Sequence, residues 1–325
     1  TPNDPSYGVM WGLNNTGQTV NRDAGTANAD IDCNLAWDVT TGSAATVVGM
    51  CDSGLRRTHQ DMGGNVWTNP GEIAGNGVDD DGNGYVDDTW GWDFWNNDNN
   101  PTDDNGHGTH TAGTVGARGN NGVGVTGVCW SVSMVGLKIG SANGSISVSA
   151  AVSALNYCVT KGIKLSNHSW GGGTYSSSLD AAITSARNAG HLLICAAGNN
   201  GTNNDTTASY PASYTQDNII AVAATDNDNR LASFSNYGAT RVDLGAPGVN
   251  VYSTYGKNDS AYQYLNGTSM ATPHVTGVAA LVWTVNPTWS YSQVRSKILS
   301  TVKPISALSG KTVTGGVLNA NSAVR

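Results

Sequence analysis

The sequence predicts an α/β protein with a mostly parallel, twisted central sheet and helices on both faces, and three observations predict it. Short apolar runs that end in small or polar residues recur along the chain, as buried parallel strands do. Segments with helical spacing lie between those runs. Polar residues follow the runs directly, at the carboxyl ends where sheets of this kind place their grooves.

The runs, in order, are ATVVGMCDSG, VSMVGLKIG, KGIKLSNHSWGGG, HLLICAAGNN, NIIAVAATD and RVDLGAPG. Helical spacing is found at about 146 to 161, 178 to 189 and 270 to 284. A last helix is expected near 290 to 300, where Pro287 and Ser290 supply start signals. No linker or internal repeat divides the chain, so one domain over residues 1–325 is expected.

Composition narrows the function classes. Charged residues make up only 12%, glycines number 42, and the formal net charge is -8, a profile closer to a loop-rich extracellular protein than to a cytosolic helical one. Without a Lys/Arg cluster there is no footprint for nucleic acid or an anionic membrane, and no apolar run reaches the length of a membrane span. The start TPNDPSYGVMWG has no signal-peptide character, so a processed form is expected. Five cysteines, at 33, 51, 129, 158 and 195, show no zinc spacing, and a Cys129–Cys158 disulfide is one pairing they allow.

Several residues carry chemistry on their own terms. Asp52 closes a buried run, where it either accepts turn amides or orients a histidine. In NGHGTHTAGTVG, His107 and His110 share one helix face, and either can face a groove. Ser269 opens an apolar helix, so its hydroxyl and amide sit where developing negative charge is stabilised, unless TS is only a cap. In GNGVDDDGNGYVDD, Asp79, Asp81, Asn83, Gly84 and Tyr85 hold positions 1, 3, 5, 6 and 7 of an EF-type loop, a pattern suited to Ca²⁺. Position twelve is Trp90, so Asp87 or Asp88 must close that shell.

Taken together, VVGMCDSG, NGHGTHTAGTVG, NHSWGGG, AAGNNG and NGTSMATPHVTGVAAL resemble the successive signature blocks of the subtilisin-like serine proteases, in the same order. The similarity runs from NDPSYGVMWGL to GGVLNANSAV, nearly the whole chain. The resemblance implies a subtilisin-like fold and a secreted, monomeric serine endopeptidase acting on proteins or peptides, made with an inhibitory amino-terminal prosegment. It implies Asp52 as orienting carboxylate, His107 as base, Ser269 as nucleophile and Asn199 as an oxyanion donor. It implies a substrate-binding edge at Ser169, Trp170 and Gly171 and a first pocket bounded by Gly171, Ala196 and Asn200, which favours apolar side chains before the scissile bond.

Likeness to the thermitase-like members implies two further calcium sites beyond the loop, for one to three in all. One comprises Asp4, Asp61, Arg118, Asn121, Val123 and Val125, and a weaker one Asp93, Asp98 and Asn100 or Thr102. Three rivals are disfavoured. A kexin-type enzyme needs acidic pockets, a sedolisin-type peptidase replaces the histidine with an acid, and a scaffold that only binds peptides gains nothing from a complete proton-transfer set.

Overall fold

The computed structural model describes residues 1–325. A small hairpin, β1 (Thr19–Val20) and β2 (Asp23–Ala24), and helix α1 (Cys33–Ala36) lead into β3 (Gly42–Asp52), the longest strand. Then come β4 (Gly91–Asp93), α2 (His107–Gly116), β5 (Ser131–Lys138), α3 (Val148–Thr160), β6 (Leu165–His168), α4 (Ser177–Asn188), β7 (Leu192–Ala196) and β8 (Ile219–Thr225). The last part holds β9 (Leu244–Pro247), a hairpin of β10 (Val251–Thr254) and β11 (Tyr262–Leu265), α5 (Thr268–Val285), α6 (Tyr291–Ser300), β12 (Lys303–Pro304), β13 (Gly316–Val317) and α7 (Ala320–Val324).

Nine strands form the main sheet in the order β12-β13-β9-β8-β7-β6-β3-β5-β4, parallel except where β12 meets β13. The chain is thus an α/β protein. All six apolar runs of the sequence are strands of this sheet, and β6 to β9 are buried along their whole length. Register aligns Asp52, Lys138 and Asp93 at the carboxyl ends of β3, β5 and β4, and this brings the polar strand ends to one edge.

Alternate residues of each strand feed two cores. Val48 and Met50 of β3 pack with Val275, Val278 and Leu281 of α5, and Val115 of α2. On the opposite face, Cys51 packs with Leu155 of α3 and Ile183 of α4. Helix α5 is buried nearly all round, as its almost uniformly apolar sequence requires. It is 18 residues long, yet no helix is long and apolar enough to cross a membrane. The expected start of α6 is a full capping box, Ser290 and Gln293 bonding each other's backbone.

The allowed Cys129–Cys158 pairing is corrected. All five thiols are free and buried, and these two lie in different cores on opposite faces of the sheet. Cys129 instead donates to the Gly277 carbonyl at 3.2 Å. A disulfide needs Cβ atoms about 4 Å apart, which a sheet between them forbids.

Candidate active site

Asp52 is the last residue of β3 and only 1% exposed. Its Oδ1 lies 2.7 Å from His107 Nδ1, and its Oδ2 accepts from the Thr111 hydroxyl at 3.2 Å. His107 opens α2, with its side chain 31% exposed, so one edge is held by Asp52 while part of the ring stays open to solvent. Burial alone pulls this imidazole down. The charge of Asp52 and its hydrogen bond outweigh that, and hold His107 above the ordinary histidine value.

His110, one turn later, points the other way. Its Nε2–H is shared between the carbonyls of Val251 (3.1 Å) and Gln263 (2.9 Å) of the β10–β11 hairpin. Burial pushes it down to about 3, so it stays neutral. A spacing of three residues puts both positions near one helix face, so spacing alone does not separate the two histidines, whereas their packing partners do.

Ser269 is the second residue of α5. Its hydroxyl donates to the Ser169 carbonyl at 2.9 Å, while the Ser169 hydroxyl donates back to the Ser269 carbonyl at 2.8 Å. Ser269 makes no hydrogen bond to His107 in this state. Contacts of this kind often tighten only when substrate is bound.

Asn199 follows β7. Its Oδ1 accepts from both the amide (2.8 Å) and the hydroxyl (2.9 Å) of Thr268, which fixes the amide orientation and leaves Nδ2 free. Gly267, with φ 155°, keeps the adjoining space clear. A Cβ there would lie 3.5 Å from Ser269 N and 3.7 Å from Asn199 Nδ2. Two unengaged donors therefore border one small volume, where an anionic oxygen fits.

Beside them opens a cavity of about 150 Å³ lined by Trp170, Gly171, Ala196, Asn199, Asn200 and Ser269 among others. Its walls carry no charge. Ser209, also in the lining, was not anticipated from sequence, because nothing local marks a residue that reaches the cavity from a distant loop.

The expected cation sites differ in quality. Asp4 and Asp61 are both buried and in no salt bridge. Asn121 and Val125 donate to Asp61 at 2.9 and 2.8 Å, and Val123 donates to Asn121 at 2.8 Å. Arg118 turns its guanidinium to the Gly63 carbonyl, at 3.4 Å, and leaves the carboxylates unneutralised. Burial first, and then the neighbouring charge of Asp61, raises the Asp4 carboxyl above its usual value. Such a pair fits a hard cation.

In the acidic loop, Asp81 and Asp88 gather with Glu72, a residue the sequence reading missed because it lies outside the motif. Asp87 does not close the shell. It accepts amides of Gly75, Asn76 and Gly77. Asp79 likewise holds the amides of Asn83 and Gly84, Tyr85 packs among Trp92, Phe94 and Tyr157, and Lys161 pairs with Asp81.

The weaker expected site is replaced by a lysine. The Lys138 ammonium, in a residue only 2% exposed, lies 3.5 Å from Asp93, 2.7 Å from Asp104 and 3.3 Å from the Thr102 carbonyl. Asp98 and Asn100 are taken up locally, with Asp98 accepting the Asn100 amide at 2.9 Å. A strand-end lysine whose side chain turns inward cannot be told from an exposed one in sequence.

The subtilase family model matches residues 43–321. The chain is similar to M-protease of Shouchella clausii, 46% identical over 224 residues, which are 69% of this chain and 56% of that protein. It thus spans little more than half of that relative. Thermitase of Thermoactinomyces vulgaris is 37% identical over 290 residues, 89% of this chain and 92% of its own. Among solved structures, proteases from Pseudoalteromonas arctica superpose with a TM-score of 0.79 at 28% identity, covering 100% of this chain and 98% of that one.

Proposed function

The chain belongs to the subtilase family, and from that premise we propose that it is a secreted, calcium-stabilised serine endopeptidase, one domain over residues 1–325, acting on proteins or peptides. The observation that carries the reading is the pinned amide of Asn199 beside the free Ser269 N–H, because two unengaged donors at one point serve a developing oxyanion. Ser269 Oγ leaves the Ser169 carbonyl and attacks the substrate carbonyl carbon as His107 Nε2 takes its proton. Asp52 holds the opposite ring nitrogen, keeping the tautomer and stabilising the imidazolium. The tetrahedral oxyanion sits between Ser269 N–H and Asn199 Nδ2–H. His107 then returns the proton to the departing amine, leaving an acyl-Ser269 ester that water hydrolyses by the same relay.

The uncharged cavity bounded by Gly171, Ala196 and Asn200 supports a preference for apolar residues before the scissile bond. Asp4, Asp61 and Asn121, with the carbonyls of Val123 and Val125, are the residues to hold one calcium, and Asp81, Asp88 and Glu72 those for another. Calcium would supply positive charge to these crowded carboxylates, at the second set alongside the Lys161 ammonium that pairs with Asp81. By family analogy the protein is a monomer that meets an inhibitory prosegment of its own before maturation.

The test is hydrolysis of a chromogenic peptide with an apolar residue before the scissile bond, with and without a serine-directed sulfonyl fluoride. Loss of activity with added mass on Ser269 supports the reading. A folded, calcium-loaded protein that neither cleaves nor labels is instead a peptide-binding scaffold.

A further inference from the structure

Helix α2 starts at His107 with no capping side chain on its own N-cap residue, Gly106. Its first amides are nevertheless all taken. His107 N–H donates to Asn105 Oδ1 (3.2 Å), Gly108 N–H to Ser53 Oγ (2.9 Å), Thr109 N–H to Asp103 Oδ2 (2.8 Å) and His110 N–H to the Gly106 carbonyl (3.2 Å). Helix starts need such partners, and here they come from outside the helix.

Asp103 is the hub. Its Oδ1 accepts from Ser53 Oγ (2.9 Å), Asn105 N (3.0 Å) and Gly106 N (2.8 Å), and its Oδ2 from Thr109 N (2.8 Å) and Thr109 Oγ1 (2.6 Å). Five donors converge on one side chain in a residue that is 2% exposed. Ser53 directly follows Asp52, and Thr109 lies two residues beyond His107. The same carboxylate therefore grips the strand end that presents Asp52 and the helix start that presents His107.

We infer that Asp103 is a positioning residue of the proposed peptidase reaction, clamping the end of β3 to the first turn of α2 so that the contact between Asp52 and His107 is kept through turnover. The inference rests on the reading in the preceding subsection. Asp52 and His107 come from different elements, so only a tie between those elements preserves their 2.7 Å separation. Misplacement by about 1 Å can slow a reaction on the order of a hundredfold. A carboxylate here also suits the positive end of the helix dipole.

The charge of Asp103 acts on His107 as well, favouring the imidazolium together with Asp52. The other groups around the histidine are His110 on the same helix, neutral by burial, Tyr255, whose hydroxyl donates to the Asn105 carbonyl at 3.3 Å, and Arg56, whose guanidinium is engaged by Asp259 at 2.6 Å. Lys138 is paired with Asp104 at 2.7 Å.

The experiment compares the full, calcium-loaded chain with Asp103→Asn and Ser53→Ala, measuring kcat, KM, the pH profile and Tm. Asp103→Asn keeps the shape but turns one acceptor oxygen into a donor and removes the charge. We expect its kcat to fall roughly tenfold to a hundredfold with KM changed by less than about twofold, and its acid limb to move to lower pH. Ser53→Ala retains the charge, so kcat falls while the limb stays in place. A folded Asp103→Asn with the parent's kcat and acid limb overturns the inference. If Asp103→Asn does not fold, Ser53→Ala decides, and a kcat within about twofold of the parent overturns it. If the parent neither cleaves nor labels, the peptidase reading has failed independently. The clamp is then tested by NMR titration of the His107 ring, where an unchanged titration in Asp103→Asn, or in that case in a folded Ser53→Ala an undisturbed Asp52–His107 proton signal, counts against it.

Discussion

Ser169 and Ser269 bond each other twice, hydroxyl to carbonyl in both directions, at 2.9 and 2.8 Å. The second bond exists because of Pro273. Four residues after Ser269 in the same helix, it has no N–H to offer the Ser269 carbonyl, and the Ser169 hydroxyl takes that place. Asn167 Nδ2 donates to Ser169 Oγ at 2.9 Å and accepts at Oδ1 from Thr276 at 2.8 Å, so the arrangement is held from below. Ser169→Ala strands a carbonyl at the start of α5. The expected loss is about 1 to 3 kcal/mol of stability, read as a lower urea midpoint, and an unchanged midpoint contradicts this account.

The pH dependence of turnover follows from the same site. In the proposed reaction His107 must be neutral to accept the Ser269 proton, and its contact with Asp52 raises its pKa above the ordinary value. Activity is therefore lost on the acid side and recovers only as pH rises past that raised value, giving an alkaline optimum. Measurement of kcat/KM from pH 5 to 9 checks it, and a flat profile removes His107 from the role of base.

Four buried histidines predict sensitivity to acid. Burial pushes His110 and His168 down to about 3, and His191 and His274 down to about 4. Their folded values lie below the unfolded one, so the unfolded chain binds more protons between these limits, and stability falls as pH drops from about 6.5 toward 4. Each contributes about 1.4 kcal/mol per pH unit within its window. The pair bridged by Ser166 of β6, His168 and His191, is explicit. His191 Nδ1–H donates to the Ile163 carbonyl (2.7 Å) and its Nε2 lies 2.6 Å from Ser166 Oγ, which also lies 2.7 Å from His168 Nε2, so protonating both rings brings two buried cations onto one hydroxyl. Urea midpoints at pH 7 and pH 5 should differ clearly, and equal midpoints would sink the prediction.

Calcium removal should weaken the chain where Asp4 and Asp61 crowd each other. Binding to the folded state alone adds about 2.7 kcal/mol at a hundred times Kd, so Tm should climb with calcium concentration and drop on chelation. Asp61→Asn should erase most of that dependence. A Tm indifferent to chelator in the parent rules this out. Lys138 already supplies a fixed positive charge near Asp93, so Asp93→Asn should leave the calcium dependence intact.

The six buried runs and four principal helices were legible because strands covered on both faces must be apolar throughout and helices keep a 3.6-residue period. The hairpin of β10 and β11 was not, since its half-exposed aromatic and polar residues form no continuous run. Nor was β4, whose three residues are too few to show a period. Among site residues, Asp52, Asn199 and Ser269 were marked by their places at strand ends and a helix start. Glu72 and Ser209 were not marked, because their partners lie in other segments, and Asp103 was not, because its tie to Ser53 spans fifty residues.

By itself the sequence determined which segments are strands and helices, and that polar residues crowd one edge of the sheet, since periodicity and strand-end position are local properties of a chain. Residue spacing left His107 and His110 alike and the family resemblance singled out His107; the tertiary structure alone decided that Lys138 takes the place expected of a cation, and that Cys129 and Cys158 stand on opposite faces. Each of those outcomes depends on the direction in which a side chain leaves its backbone and on what a distant segment places in front of it, and neither is written in the spacing of residues along the chain.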